Sequence, residues 1–399
     1  MTSSLAWLDH DAAAHERTKR ILALFQERGT VDQLGLGGIR DSFADLFFPG
    51  TSTIQTRLRY FLFVPWIYSR LEEEEVPARR IAAEARDFEL ALIGPLLSAE
   101  EAGVFGSMAG GNLKRLPSEV YWGGLGSWGI RCFDASRDQY HRAIDEIYQR
   151  RHEPALHSPE GTEPTRRTVT WHPELPAAPT SFPEQATLSL EQQEAEFLRD
   201  RITAEHRSSL LAWLALHPRS TEVAFPWEHP LLETMPAEHR RALRHARLFS
   251  EVMNGAPILY NRMLSEEVGR DDLVEKYRRM HAEWTESLDR GAVADWPLDE
   301  LFAIARAQGT HGISAQLEEF VRRWVARVRQ DPVSIAHDED TRKLIRYREM
   351  LLKGARSLFR NRKALEERYA GDLGIGQLDY RWPGVELLLG DLHAGLARS

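Results

Sequence analysis

Ten basic side chains crowd residues 342–368 against three acidic ones, a local balance of +7 in a chain whose net charge is −9. At 100° per residue, Leu344, Leu351, Ala355, Leu358, Phe359 and Leu365 fall on one side of a helix over Thr341–Arg368. Arg342, Arg346, Lys353, Arg356 and Arg360 gather on the opposite side, and Lys343, Lys363 and Arg368 flank them. Such a stripe, about 40 Å long at 1.5 Å per residue, would suit phosphates along a nucleic-acid backbone. The competing account is a solvated helix face in an Arg-rich protein. Arg348 and Arg362 fall on the apolar side, where a guanidinium needs a carboxylate or a polar lining.

Two further stretches carry chemistry. In Thr51-Ser52-Thr53-Ile54-Gln55-Thr56-Arg57-Leu58-Arg59, hydroxyls open an expected helix that runs through Tyr68. Thr51, Ser52, Thr53, Gln55, Arg57 and Arg59 would make an anion site on its free amides, or Thr51 and Ser52 would simply cap it. In Leu116–Arg131, Ser118 would start a short helix ending at Gly129, with Ile130–Phe133 as a strand. Those are parts of a winged helix-turn-helix. The alternative is a core helix burying Tyr121, Trp122, Leu125 and Trp128.

Much chemistry is excluded. Of 51 basic residues only six are Lys. None of Lys19, Lys114, Lys276, Lys343, Lys353 and Lys363 follows a glycine, so there is no P-loop. None has an acid or His two residues before it, which removes the common two-metal nuclease and phospholipase-D-type signatures. The single cysteine, Cys132, rules out a disulfide framework and reads as a buried, inert thiol. No two of the 15 His lie three or four apart, so no helix presents a local two-His metal pair. No metal, cofactor or catalytic residue is assigned. The polar N-terminus and the short apolar run Tyr60–Tyr68 point to a cytoplasmic protein with no membrane partner.

The elements that must position these residues read as mainly α. Expected helices cover about 11–27, 38–47, 77–97, 190–202, 208–216, 236–266, 271–288, 298–308, 314–329 and 341–369. Seven of the twenty prolines lie in residues 152–187, which read as a Pro-rich linker or long loop. The expected organisation is therefore an N-terminal helical domain over 1–151 with a winged-helix-like element, the linker, and a helical domain over 188–399. His239 and His245 are expected at the surface, and Glu72–Glu75 as a solvated charge run. Asp379-Tyr380-Arg381-Trp382 is expected to dock the last helix.

Several segments resemble a bacterial family catalogued as a domain of unknown function. They are Ser4–Asp9, Pro49–Trp66, Leu116–Arg131, Phe249–Ala256 with Leu259-Tyr260-Asn261, and Tyr380-Arg381-Trp382. The resemblance brings no catalytic residues. It implies genes placed beside helicase-like and nuclease-like genes in antiphage defence islands. The functional expectation is a non-enzymatic accessory protein that binds nucleic acid and a protein partner, such as a helicase or nuclease of a defence system. Alternatives are a metal-independent nuclease or transferase with a dispersed active site, and a pure protein scaffold.

Overall fold

The computed structural model describes residues 32–99, 102–107, 113, 115–152, 169–309 and 311–398. The expected helix over 11–27 lies outside them. In chain order the helices are α1 (Gly37–Phe47), α2 (Tyr60–Glu73), α3 (Ala78–Ala91), α4 (Ile93–Ser98), α5 (Pro117–Ser127), α6 (Arg137–His152), α7 (Gln192–Glu205) and α8 (Leu210–Leu216). They continue with α9 (Ala237–Val268), α10 (Asp271–Ser287), α11 (Arg290–Ala294), α12 (Leu298–Ala307), α13 (Ala315–Gln330), α14 (Glu339–Lys353), α15 (Arg362–Arg368) and α16 (Trp382–Leu396). The mainly-α expectation holds. Among the described residues the only β feature is a single bridge between Arg131 and Trp171, and no helix is long and apolar enough to cross a membrane.

The chain divides into two units, and the division does not follow the Pro-rich segment. Of the described residues, the first unit takes those in 47–222 and 381–398, and the second those in 32–46 and 223–380. Residues 169–187, expected as linker, belong to the first unit. There Trp171 is buried, Trp66 Nε1 donates to the Pro176 carbonyl at 2.7 Å, and Phe182 stacks on Phe63. Prolines remove donors but leave apolar rings and carbonyls that a core can use.

In the first unit α2 is the hub. Every residue from Tyr60 to Tyr68 is buried, which is why this run shows no amphipathic period. Its rings pack with those of α5 and of the residue that follows it: Tyr60 lies 5.4 Å from Tyr121, and Phe61 stacks on Trp128, just past the helix, at 3.9 Å between centroids. In the second unit the 32-residue α9 is the hub and packs with α10, α13 and α14. Gly255 permits the close approach of α10, because a Cβ there would meet the Trp284 ring at 2.4 Å.

Candidate nucleic-acid interface

The basic segment is not one helix. Asp338 caps α14, accepting from the Thr341 amide at 3.0 Å, and Glu339 and Asp340 sit in its first turn. The helix stops at Gly354, whose φ of +54° and ψ of −119° suit glycine and few other residues. The chain then folds back onto α14. Glu349, fully buried, accepts from the Leu358 amide at 2.8 Å and from the Ser357 hydroxyl. Asn361 starts α15 by accepting from the Ala364 amide at 3.0 Å. The continuous 40 Å stripe expected from the wheel is thus corrected to two shorter helices and a fixed turn, because a caged carboxylate and a helix-terminating glycine outweigh the periodicity.

Most of the cations already have partners. Arg342 binds Glu266 and the Ala336 carbonyl, the latter at 3.0 Å. Lys343 lies 3.5 Å from Asp340. Arg346 pairs with Glu267 and lies over the Phe359 ring. Lys353 donates to the Asp32 carbonyl at 3.1 Å. Lys363 sits 3.8 Å from Glu367, and Arg362 pairs with Glu366 at 2.8 Å in the open rather than on an apolar face. Arg356 and Arg360, which bracket the turn, and Arg368 are exposed and have no ion pair among the described residues. Tyr347, at 65% exposure, and Leu351, at 41%, also face solvent. Leu351 was expected in the apolar stripe.

Arg348 is buried, and of the two partners expected for a guanidinium on the apolar side, a carboxylate or a polar lining, it takes the second. It donates to the carbonyls of Leu34 at 2.8 Å and Gly35 at 3.1 Å and covers the Phe320 ring. Burial pulls its pKa below the usual arginine value. It staples the segment before α1 to α14.

The Thr51–Arg59 block is corrected more thoroughly. It is not the start of a helix: α2 begins at Tyr60, so its free amides do not lie at Thr51–Thr53. Thr51 donates its hydroxyl to the Phe48 carbonyl, and Gln55 bridges the Ser52 amide and the Gly50 carbonyl. Arg57 is 6% exposed and holds Asp391 at 2.9 Å; Arg59 is 5% exposed and holds Glu194 at 2.7 Å. Both guanidiniums already face carboxylates within the first unit, while Ser52 Oγ and Arg59 Nε have no hydrogen-bond partner among the described residues.

Other expectations also change. Helix α5 buries Tyr121, Trp122 and Leu125, with Trp128 buried just beyond its end. The core-helix alternative therefore describes it, and the bridge at Arg131 supplies no β-ribbon. Cys132 is exposed, not buried. Glu72, expected in a solvated run, is 5% exposed and gathers Tyr140, Trp171 and Arg151. His239 and His245 are buried rather than at the surface, and His245 Nδ1 accepts from Trp296 at 3.0 Å.

Sequence reasoning missed one cavity. A space of about 810 Å³ in the second unit is lined by Arg262 of α9, Arg278, His281 and Glu286 of α10, Arg290 of α11, and His337 before α14, among others. Arg262 is buried, at 8% exposure, and its Nε is fixed on Glu266 at 3.0 Å. His281 is buried, and its Nε2 has no hydrogen-bond partner among the described residues. Burial first, then the charges of Arg262 and His337, push its imidazole down to about 4. Nothing local marked this site, because its residues span 262–337 and meet only through packing. Among the described residues no group of three or more His, Cys, Asp or Glu is placed to hold a metal ion.

The model of DUF6361, a family of unknown function, matches residues 2–395, and the chain belongs to that family. No curated protein and no solved structure matches it.

Proposed function

We propose that this member of a family of unknown function is a non-enzymatic accessory protein that binds nucleic acid through the α14–α15 face of its second unit. The observation that carries the reading is the exposure of Arg356, Arg360 and Arg368 with no ion pair among the described residues. An arginine without an internal carboxylate can neutralise a phosphate and release its counterion. Arg346 and Lys343 next to them are paired near the surface, where exchange of a carboxylate for a phosphate costs little. The exposed ring of Tyr347 offers a face on which a base can stack. A chain of net charge −9 then meets a polyanion through one local region and repels it elsewhere, which favours a defined orientation over non-specific coating.

A protein partner is the second reading. Tyr347 and Leu351 form a small exposed apolar strip, one turn apart on α14 and beside Lys343. An acidic amphipathic segment of a nucleic-acid-processing enzyme, such as a helicase or nuclease of a defence system, fits that combination. The resemblance in sequence suggested that setting.

The test is fluorescence anisotropy of labelled duplex DNA, single-stranded DNA and RNA over a salt series. Affinity should fall steeply with salt, and the triple variant R356E/R360E/R368E should reduce the slope of log K against log salt by roughly one per lost phosphate contact. Identical binding curves for the wild type and the triple variant would overturn the nucleic-acid reading. If Y347A/L351A instead abolishes co-elution with a nuclease-treated partner complex, the same face serves a protein.

A further inference from the structure

The cavity among α9, α10, α11 and His337 has a chemistry of its own. Its arginines differ in what they are already doing. Arg278 is held by both oxygens of Glu275 at 2.8 Å. Arg262 has only its Nε fixed, on Glu266, and its terminal nitrogens make no hydrogen bond among the described residues. Arg290 has no hydrogen bond or ion pair among the described residues. Of the two carboxylates in the lining, Asp289 is engaged, capping α11 through the Ala292 amide at 3.0 Å. Glu286 is left as the lining acid without a hydrogen bond among the described residues, facing Arg262, paired with Glu266 through Nε alone, Arg290, which has only a through-space attraction to Asp331, and two imidazoles.

A guanidinium held at its Nε presents a planar fork of N–H donors, which matches two oxygens of a phosphoryl group or carboxylate. The buried, unpartnered Nε2 of His281 is the kind of orphan that calls for a group from outside the chain. The space, about 810 Å³, lies within the range of small-molecule sites and exceeds what a lone phosphate ion fills. Glu286 at the wall supplies an acceptor for hydroxyl or amine donors on the remainder of such a ligand.

We propose that this cavity is a binding site for a phosphate monoester, with Arg262 and Arg290 clasping the phosphoryl group and Glu286 meeting the organic part. The inference does not rest on the α14–α15 interface. A free nucleotide and the phosphorylated end of a nucleic-acid strand carry the same group, so the experiment separates them.

Isothermal titration of the full chain is run with inorganic phosphate, adenosine, adenosine monophosphate, and one short oligonucleotide with either a 5′-phosphate or a 5′-hydroxyl. Expected is binding of the monophosphate, no detectable heat with adenosine, and weaker binding of phosphate alone. R290Q, at an exposed position, should weaken the monophosphate about tenfold, while R278Q should leave it nearly unchanged. The monophosphate should also move the side-chain NMR signals of His281 and His337. If the 5′-phosphate strengthens oligonucleotide binding in the wild type but not in R290Q, the source is a strand end; if it does not and the monophosphate binds, the source is a free nucleotide. Equal binding of adenosine and its monophosphate, or a monophosphate affinity unaffected by R290Q, would overturn the proposal. Binding of the 5′-hydroxyl strand reports the α14–α15 face alone, so the two readings fail separately.

Discussion

Two arginine-rich stretches of this chain look alike in sequence and do opposite things. In residues 51–59, Arg57 and Arg59 are buried and locked on Asp391 and Glu194. In residues 354–368, Arg356, Arg360 and Arg368 stand in solvent with no ion pair among the described residues. The difference lies in what packing puts opposite each guanidinium. A buried arginine must be matched within the fold, so it is part of the architecture; an exposed, unmatched one is available to a ligand. Residue type and local charge count do not separate the two cases.

The sharpest way to break that contrast is to remove a buried partner. D391N leaves the Arg57 charge buried with a weakened acceptor and also weakens the contact at the Leu58 amide, now 3.0 Å from the carboxylate. Breaking a buried pair costs about 3–5 kcal/mol, so the midpoint of urea unfolding should drop steeply. A loss below roughly 1 kcal/mol, the range of surface pairs, would mean that Arg57 is not architectural.

These partners explain what the sequence could and could not reveal. Helices were legible at several runs where an amphipathic period met a capping signal: Ser314 before α13 and Asp338 before α14 both cap. Helix α6 is missing from the expected set, although Ser136 accepts from the Gln139 amide at 3.2 Å at its start and Tyr140, Ile144, Ile147 and Tyr148 form its buried face. The partners of Arg57 and Arg59 lie 334 and 135 positions away, and no local pattern announces them. The break at Gly354 had a signal, a glycine followed by Asn361 in an N-cap position. It was hidden by an apolar period that continues through the turn by coincidence. The buried role of Glu72 was hidden in the same way, inside a run of four acids of which it alone is buried. The cavity had no signal at all, since its chemistry comes from four separate segments.

A smaller effect extends the contrast to a carboxylate without a counter-charge on it. Glu89 is buried, accepts from the Ser118 amide at 2.7 Å, and has its other oxygen unpartnered. Burial raises its pKa from 4.5 to about 7, outweighing the Ser118 hydrogen bonds and Arg137. The folded state therefore holds a proton that the unfolded state releases. The contribution to stability is full below pH 4.5 and is lost as pH rises towards 7. His141, on Tyr68 at 2.9 Å, has the opposite sign: burial lowers it from 6.5 to about 4, so stability falls as pH drops through that window. Between 4.5 and 6.5 the two slopes oppose each other. E89Q keeps the amide contact and removes one slope. The variant should gain on the order of 2–3 kcal/mol relative to wild type between pH 5 and 8, measured by urea unfolding across pH. A difference that does not change with pH would show that Glu89 is ionised in the fold.

Next in size is the anchor of the turn itself. Glu349 holds Ser357 and the Leu358 amide, and E349A should cost about 1–3 kcal/mol for the donors left unmet. If Arg356 and Arg360 act from a fixed turn, the same variant should weaken nucleic-acid binding although it removes a negative charge, which by charge alone would strengthen it. Tighter binding would mean that only net charge matters.

The smallest effect on stability is expected where the proposed function is concentrated. R356E, R360E and R368E each alter an exposed side chain that has no ion pair among the described residues. Surface changes of that kind stay within about 0.5 kcal/mol, so the unfolding midpoint of the triple variant should nearly match wild type while its affinity for polyanions falls. R362E supplies the control on the same stretch, because Arg362 is already opposed by Glu366. Its reversal changes net charge equally per residue but should lower affinity less than R360E. Equal losses from the paired and unpaired arginines would erase the distinction between matched and unmatched guanidiniums on this face and leave a diffuse field as the whole attraction.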